Sequence, residues 1–187
     1  MLLLILGIAV FVAIHLIPAK PSLRNQWIEQ WGEKKYRALF ALASFVGLIL
    51  IIVGKSNASF IPLWNPPVWG RHLAMTLMPL AFYLLAAAHM PSNIKRITRH
   101  PMLWGVTLWA AVHLSANGDL ASLILFGGFG IYSLFGMWSA NQRGSSKSNE
   151  SLPMSKDGKI AGMALLVYGV FLFLHPYLFG VSVMSTG

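Results

Sequence analysis

Long apolar blocks alternate with short polar gaps along the whole chain. A helix that crosses a bilayer needs about 20 mainly apolar residues. Six blocks meet or approach that length, at residues 2–17, 36–53, 70–90, 101–116, 120–140 and 158–179. The first ends at Pro18 and Pro21 and the third at Pro91, where a helix loses the amide donor it needs to continue. Pro79, inside the third, is tolerable where neighbouring helices satisfy the freed carbonyl. Pro101 opens the fourth at a favourable first-turn position, and Asn117-Gly118 closes it as a turn. Pro176 interrupts the sixth late. The pattern predicts an all-α, polytopic membrane bundle of about six transmembrane helices.

Two gaps have a character of their own. Residues 141–159 are rich in Ser, Gly and charge and read as a mobile loop. Residues 56–69 hold Pro62, Pro66 and Pro67 with Trp64 and Trp69, which predicts a stiff connector at the headgroup level. No Lys or Arg precedes the first apolar block, so residues 1–17 read as a retained first span rather than a cleaved signal peptide. No internal repeat is apparent.

Composition supports lipid as the solvent. Of 187 residues, 56% are hydrophobic and 10% charged, where a soluble domain carries about 25% charged residues. The length suits one membrane domain over 1–187, with no room for a separate soluble one. The net charge of +9 does not imply nucleic acid, because the cations fill the gaps between apolar blocks, as topology signals do. Loop one and its flank hold Lys20, Arg24, Lys34, Lys35 and Arg37. Loop three holds Lys95, Arg96 and Arg99, and loop five Arg143, Lys147, Lys156 and Lys159. These are twelve of the fourteen Lys and Arg; the others are Lys55 and Arg71 in loop two. The positive-inside rule then makes loops one, three and five cytoplasmic and both termini periplasmic in a bacterial inner membrane. The absence of cysteine excludes disulfides, thiolate metal sites and covalent c-type haem attachment.

Candidate chemistry rests on six histidines. Ionisable groups within spans are costly and are functional candidates by default. His15 lies in the first apolar block and His113 in the fourth. Each is either a neutral imidazole bonded to a carbonyl or hydroxyl of the bundle or an axial ligand of an iron centre. His100 opens the fourth helix beside basic neighbours, and His72, His89 and His175 sit near span ends, where interface packing is the simpler reading. The acids are Glu29, Glu33, Asp119, Glu150 and Asp157, all in loops or at helix edges. No carboxylate pair lies at depth, which leaves proton pumping and glycosidase-type acid/base chemistry unsupported. Phosphate-loop and dinucleotide signatures are absent. Gly127, Gly128 and Gly130 in the fifth block read as a close-packing surface.

Four stretches carry a family resemblance: His15-Leu-Ile-Pro-Ala-Lys-Pro-Ser-Leu-Arg24-Asn, Trp64-Asn-Pro-Pro-Val-Trp69-Gly-Arg71, Pro91-Ser-Asn93-Ile-Lys-Arg-Ile-Thr-Arg99-His100-Pro101, and Trp104-Gly-Val-Thr-Leu-Trp109-Ala-Ala-Val-His113-Leu-Ser-Ala-Asn117-Gly118-Asp119. With them the chain resembles the NnrU family over essentially its whole length. The resemblance implies a bacterial integral membrane protein, in a family named for genes associated with nitrite and nitric oxide reduction (denitrification). A related plant branch is 15-cis-zeta-carotene isomerase, a haem b protein. Its proposed ligands, one His on the N-terminal motif and one on Trp-x-x-x-His, match His15 and His113. The expected cofactor is therefore haem b, with Arg24, Arg96 and Arg99 as propionate partners and His100 as a structural or substrate-side residue. The expected partners are the bilayer and a hydrophobic small molecule or a respiratory membrane protein.

Depth constrains the ligand pair. His113 is thirteen residues past His100, about 20 Å along a helix, and His15 is five residues before Lys20, about 7 Å from the edge. The two differ in depth by roughly 10 Å, which suits a haem tilted toward the membrane plane. His89 or His100 could replace one partner, or His113 could pair with His72 or His175. Two other functions are open. Arg99-His100-Pro101-x-x-x-Gly105 resembles the S-adenosylmethionine-binding segment of isoprenylcysteine carboxyl methyltransferases, although the Arg and paired Glu that follow there are not matched. A non-catalytic assembly factor would use the small residues of the fifth block to hold a partner helix.

Overall fold

The computed structural model describes residues 1–181 and 183. The last residues, 184–187, whose side of the membrane was an expectation, lie outside the described residues. The helices are α1 (Leu2–Leu16), α2 (Pro21–Trp31), α3 (Glu33–Ser56), α4 (Gly70–His89), α5 (Ile94–Ile97), α6 (Pro101–Ala116), α7 (Leu120–Ser122), α8 (Gly128–Gln142) and α9 (Met154–Phe179). A 3₁₀ turn, Ile17–Ala19, follows α1, and a π-helical segment, Leu123–Gly127, joins α7 to α8. Among the described residues the only extended pairing is the bridge between Pro62 and Asp119.

Among the described residues five helical stretches are long and apolar enough to cross a membrane: Leu2–Ala19, Glu33–Ser56, Gly70–His89, Leu120–Gln142 and Met154–Phe179. Their outward faces are apolar, with Leu42, Phe45, Ile131, Leu166 and Phe173 each 59–71% exposed. Such surface is stable against lipid and costly against water. The fold is thus a helical membrane bundle. The predicted fourth span, α6, has 16 residues and rises only about 24 Å, short of a 30 Å hydrocarbon core. It nevertheless runs from one end of the bundle to the other. Leu103, near its start, faces Gly136 late in α8, whereas Ser115, near its end, meets Gly70 at the start of α4.

The connections sort cleanly between the two ends. Arg143 Nη1 donates to Ala19 O at 3.1 Å, Ser148 N to Lys95 O at 3.0 Å, and Leu152 N to Asn93 Oδ1 at 2.9 Å, so loops one, three and five meet. At the opposite end Leu63 N and Trp64 N donate to Gly118 O, and Leu120 N to Ile61 O, so loops two and four meet. The twelve clustered cations therefore share one end.

Close helix packing falls elsewhere than expected. A Cβ on Gly7 would lie 2.6 Å from Ile51 N, and one on Gly47 3.1 Å from Phe11 N, while one on Gly54 would overlap the Leu4 backbone. These glycines let α1 and α3 approach as an antiparallel pair. Gly105 does the same for α6 against α4, where its Cβ would sit 3.1 Å from Ala81 O. On α8, added Cβ atoms at Gly128 and Gly130 would meet Ile8 and Ala110 at 3.5 Å, ordinary contact. That small-residue face meets α1 and α6 at ordinary contact distance.

Loop five, the expected mobile segment, is tied to loop three at several points. Asn93 pairs with both the amide and the carbonyl of Leu152, and Arg96 reaches Ser151 Oγ at 3.3 Å. The anchor behind them is Asp157. Its buried carboxylate accepts from Ser92 Oγ (2.6 Å), Asn93 N (3.0 Å), Tyr83 Oη (3.1 Å) and Asn93 Nδ2. Four donors let this acid sit at the start of α9 without a cation.

Candidate functional site: two imidazoles around an aromatic layer

His15 and His113 have matching local geometry. Nδ1 of His15 lies 2.7 Å from Phe11 O, and Nδ1 of His113 lies 2.8 Å from Trp109 O. A carbonyl only accepts, so each Nδ1 carries the proton and each neutral ring presents an unprotonated Nε2. Neither Nε2 has a hydrogen-bond partner among the described residues. No fully buried side-chain nitrogen or oxygen lacks a partner there, so these two atoms are not sealed in the interior. Each ring also stacks on a phenylalanine, His15 on Phe11 at 4.0 Å and His113 on Phe126 at 4.7 Å between centroids.

The side chains between them form a continuous aromatic layer. Phe129 touches Phe11 at 5.3 Å and Trp109 at 5.7 Å, and Trp109 touches His113 at 5.4 Å. Tyr132 lies 6.3 Å from His15. Phe126, Phe129 and Tyr132 thus run down one side of the fifth span, from the level of His113 to that of His15. Six residues along a helix make about 9 Å, so the difference in depth expected from the sequence recurs here. Phe126 belongs to the π-helical segment, a geometry common at functional sites.

Each ring, taken singly, has the chemistry of an iron ligand. A ligating His typically donates its other N–H to a carbonyl or carboxylate, which sets the tautomer and raises the basicity of the free nitrogen. Both residues already do so. Among the described residues no group of three or more His, Cys, Asp or Glu converges on a metal-sized site. If a haem is held here, His15 and His113 are the residues that would offer it imidazole nitrogens. Phe129 stands between the two halves of the layer, so one group held by both rings requires Phe129 to move aside.

The other predicted residues divide into two places. Arg24 joins the His15 side. It lines a cleft of about 220 Å³ with Pro18, Tyr36, Arg37 and Phe40, its guanidinium lies 5.9 Å from the Tyr36 ring centroid, and Phe40 meets His15 at 5.1 Å. Arg99 and His100 do not join it. Arg99 Nη1 (3.2 Å) and His100 Nε2 (2.9 Å) both point to Asn141 Oδ1 at the end of α8. They line a second, larger cleft, and Arg96 pairs with loop five instead. Lys95, Arg99, His100 and Lys147 make that cleft basic, a poor match for S-adenosylmethionine, whose net charge is positive.

Of the alternative ligands, His175 lies near the end of α9. Its Nδ1 is 2.7 Å from Val181 O, the same carbonyl-tethered arrangement. His72 and His89 are exposed at the two ends of α4. Sequence reasoning missed the aromatic layer's order and the buried acids, because Phe11 meets Phe129, Lys55 meets Asp119 and Asn93 meets Asp157 only across separate helices. Asp119 is the second such acid. It takes Lys55 Nζ at 3.1 Å and Ser122 N at 3.0 Å, together with Ser122 Oγ, and so caps the helix that leads to Phe126.

The family model described as NnrU protein matches residues 3–183. The chain belongs to the NnrU family. Two curated relatives are both named 15-cis-zeta-carotene isomerase, chloroplastic. The one from Zea mays is 29% identical over 167 residues, covering 79% of this chain and 45% of that protein. The one from Arabidopsis thaliana is 28% identical over 176 residues, covering 83% of this chain and 47% of that protein. This NnrU chain spans a little under half the length of those relatives. No solved structure matches it.

Proposed function

We propose that this NnrU protein is a bacterial inner-membrane haem b protein, with His15 and His113 as axial ligands, that supports redox-gated isomerisation of a lipid-soluble polyene. The observation that carries the reading is the matched pair of imidazoles, each tethered at Nδ1 and free at Nε2, on either side of one aromatic layer. The isomerase reading draws on the names of the plant relatives. Haem, when bound, would supply a one-electron redox centre. The chain's own residues orient the imidazoles, keep water out with Phe11, Trp109, Phe126 and Phe129, and offer Arg24 to a propionate at the basic end. A role in nitrite or nitric oxide metabolism would use the same centre.

The topology proposed with it has six crossings, α6 included, and places loops one, three and five in the cytoplasm. The shared end of twelve cations supports that orientation.

The test is the visible spectrum of detergent-purified protein made with ample haem. A Soret band is expected, lost or shifted in His15→Ala and in His113→Ala. A wild type with no Soret band overturns the haem reading. A second ligand set, His113 with His175, draws on the carbonyl-tethered Nδ1 that each ring has. It predicts that His175→Ala alters the band and His15→Ala leaves it unchanged.

A further inference from the structure

The larger cleft lies at the basic end of the bundle, away from the imidazole pair. Its volume is about 460 Å³, and it is bounded by the end of α4, the start of α6 and loop five. Its cations come from two segments: Lys95 and Arg99 from loop three, beside the His100 imidazole, and Lys147 from loop five. Ser146 and Ser148 add hydroxyls, and no carboxylate lines it. Arg99 and His100 are held in place by Asn141. Lys95 and Lys147 have no side-chain hydrogen bond or ion pair among the described residues. The cleft's position is itself built, since Ser148 N bonds Lys95 O at 3.0 Å and ties the two lysine-bearing segments together.

Convergent, uncompensated cations repel one another and are stabilised by an anion between them. The remaining wall is apolar: Ala88, Pro101, Met102 and Leu103. Met102 and Trp104, at the start of α6, are 43% and 46% exposed, so the apolar side of the cleft continues onto surface that faces acyl chains. A ligand that satisfies both walls has an anionic head and a hydrocarbon tail. Arg and Lys with serine hydroxyls are the side chains that recognise phosphate oxygens.

We propose that this cleft binds the phosphate of an anionic membrane lipid, with Lys95, Arg99 and Lys147 on the headgroup and Met102 and Leu103 along the first acyl carbons. Because loop five supplies Lys147, occupancy also fastens that loop to loop three.

The test uses full-length protein in detergent, with native mass spectrometry and thermal unfolding as readouts. Probes are phosphatidylglycerol, phosphatidylcholine and inorganic phosphate. Variants are Lys95→Gln with Lys147→Gln, and as a control Lys34→Gln with Lys35→Gln, two lysines at the same end but outside the cleft. Phosphatidylglycerol is expected to remain bound and raise the unfolding temperature, while phosphatidylcholine does neither. Each cleft lysine removed is expected to weaken binding about 5-fold, and the pair about 30-fold. The control pair should change it less than about 2-fold, because exposed charges farther than a Debye length from the headgroup are largely screened. Equal loss in both pairs, or none in the cleft pair, overturns the proposal. Stabilisation by inorganic phosphate alone at millimolar concentration, with no gain from the lipid, overturns the lipid source and assigns the site to a soluble phosphate. The Soret band is read in the same samples; its loss bears on the haem centre and leaves the lipid result standing.

Discussion

Replacing Asp119 with alanine removes the acceptor of three hydrogen bonds at the end of the bundle opposite the cation cluster. Ser122 N, 3.0 Å from Oδ1, loses its helix cap, a loss of about 1 kcal/mol. Lys55 Nζ, 3.1 Å away, loses a charge-assisted bond worth about 1.5–3 kcal/mol where it is dry. The Lys55 side chain is 33% exposed, so solvent screening reduces that part. The expected total is about 2–3 kcal/mol, or a fall in unfolding temperature of roughly 4–12 °C for a chain of this size. The pH dependence has a definite sign. Burial pushes the Asp119 carboxyl up, but bonds from Ser122 and Lys55 outweigh it and hold it below the usual carboxylate range. A carboxylate with a depressed folded-state pKa stabilises fully above its unfolded value, about 3.9, and loses that contribution as pH falls through the folded value. Thermal unfolding in detergent should therefore show the full gap between wild type and Asp119→Ala at pH 7. The gap should narrow on acidification below about pH 4. Lys55→Met combined with Asp119→Ala should cost less than the two changes added. An unchanged unfolding temperature at pH 7, a gap that widens in acid, or full additivity refutes the reasoning.

Three further outcomes follow from the packing. Gly54→Val places a branched side chain on the Leu4 backbone and should separate α1 from α3, lowering the yield of folded protein in detergent far more than Gly162→Val, which meets nothing within 4 Å. Asp157→Ala strands four donors and should cost about 3 kcal/mol or more, read as faster proteolysis within residues 143–153. Phe129→Ala removes the ring between Phe11 and Trp109 and should raise haem uptake in reconstitution while lowering the stability of the haem-free protein by about 2–4 kcal/mol.

Much of this architecture is written in hydropathy, because lipid-facing helices must be apolar over a fixed length whatever else they do. The block at 101–116 matches α6 residue for residue, since Pro101 and Asn117-Gly118 are local stop signals. The remaining span boundaries shift by a few residues, where polar first turns such as Glu33 and Met154 extend helices into the interface. The α2 helix was hidden in a basic loop, although Leu23, Trp27 and Trp31 recur every four residues and the Trp27 and Trp31 rings meet at 5.0 Å, tilted. The tethered tautomers of His15 and His113 are a local consequence of helix geometry, one turn back in each case. What joins those two rings is not local. Phe129 sits opposite both only because α8 packs between α1 and α6, and the π-helical turn that sets the phase of Phe126 leaves no mark in the residue pattern. The same holds for Asp157, whose neighbours Tyr83, Ser92 and Asn93 come from 64 to 74 positions earlier.

The most direct test of the central claim is the electron paramagnetic resonance spectrum of the oxidised, purified wild-type protein beside His15→Ala and His113→Ala. Two axial imidazoles predict a low-spin ferric signal in the wild type and a high-spin signal, or loss of haem, in each variant. A low-spin wild-type signal that persists unchanged in both variants would contradict the assignment of this pair.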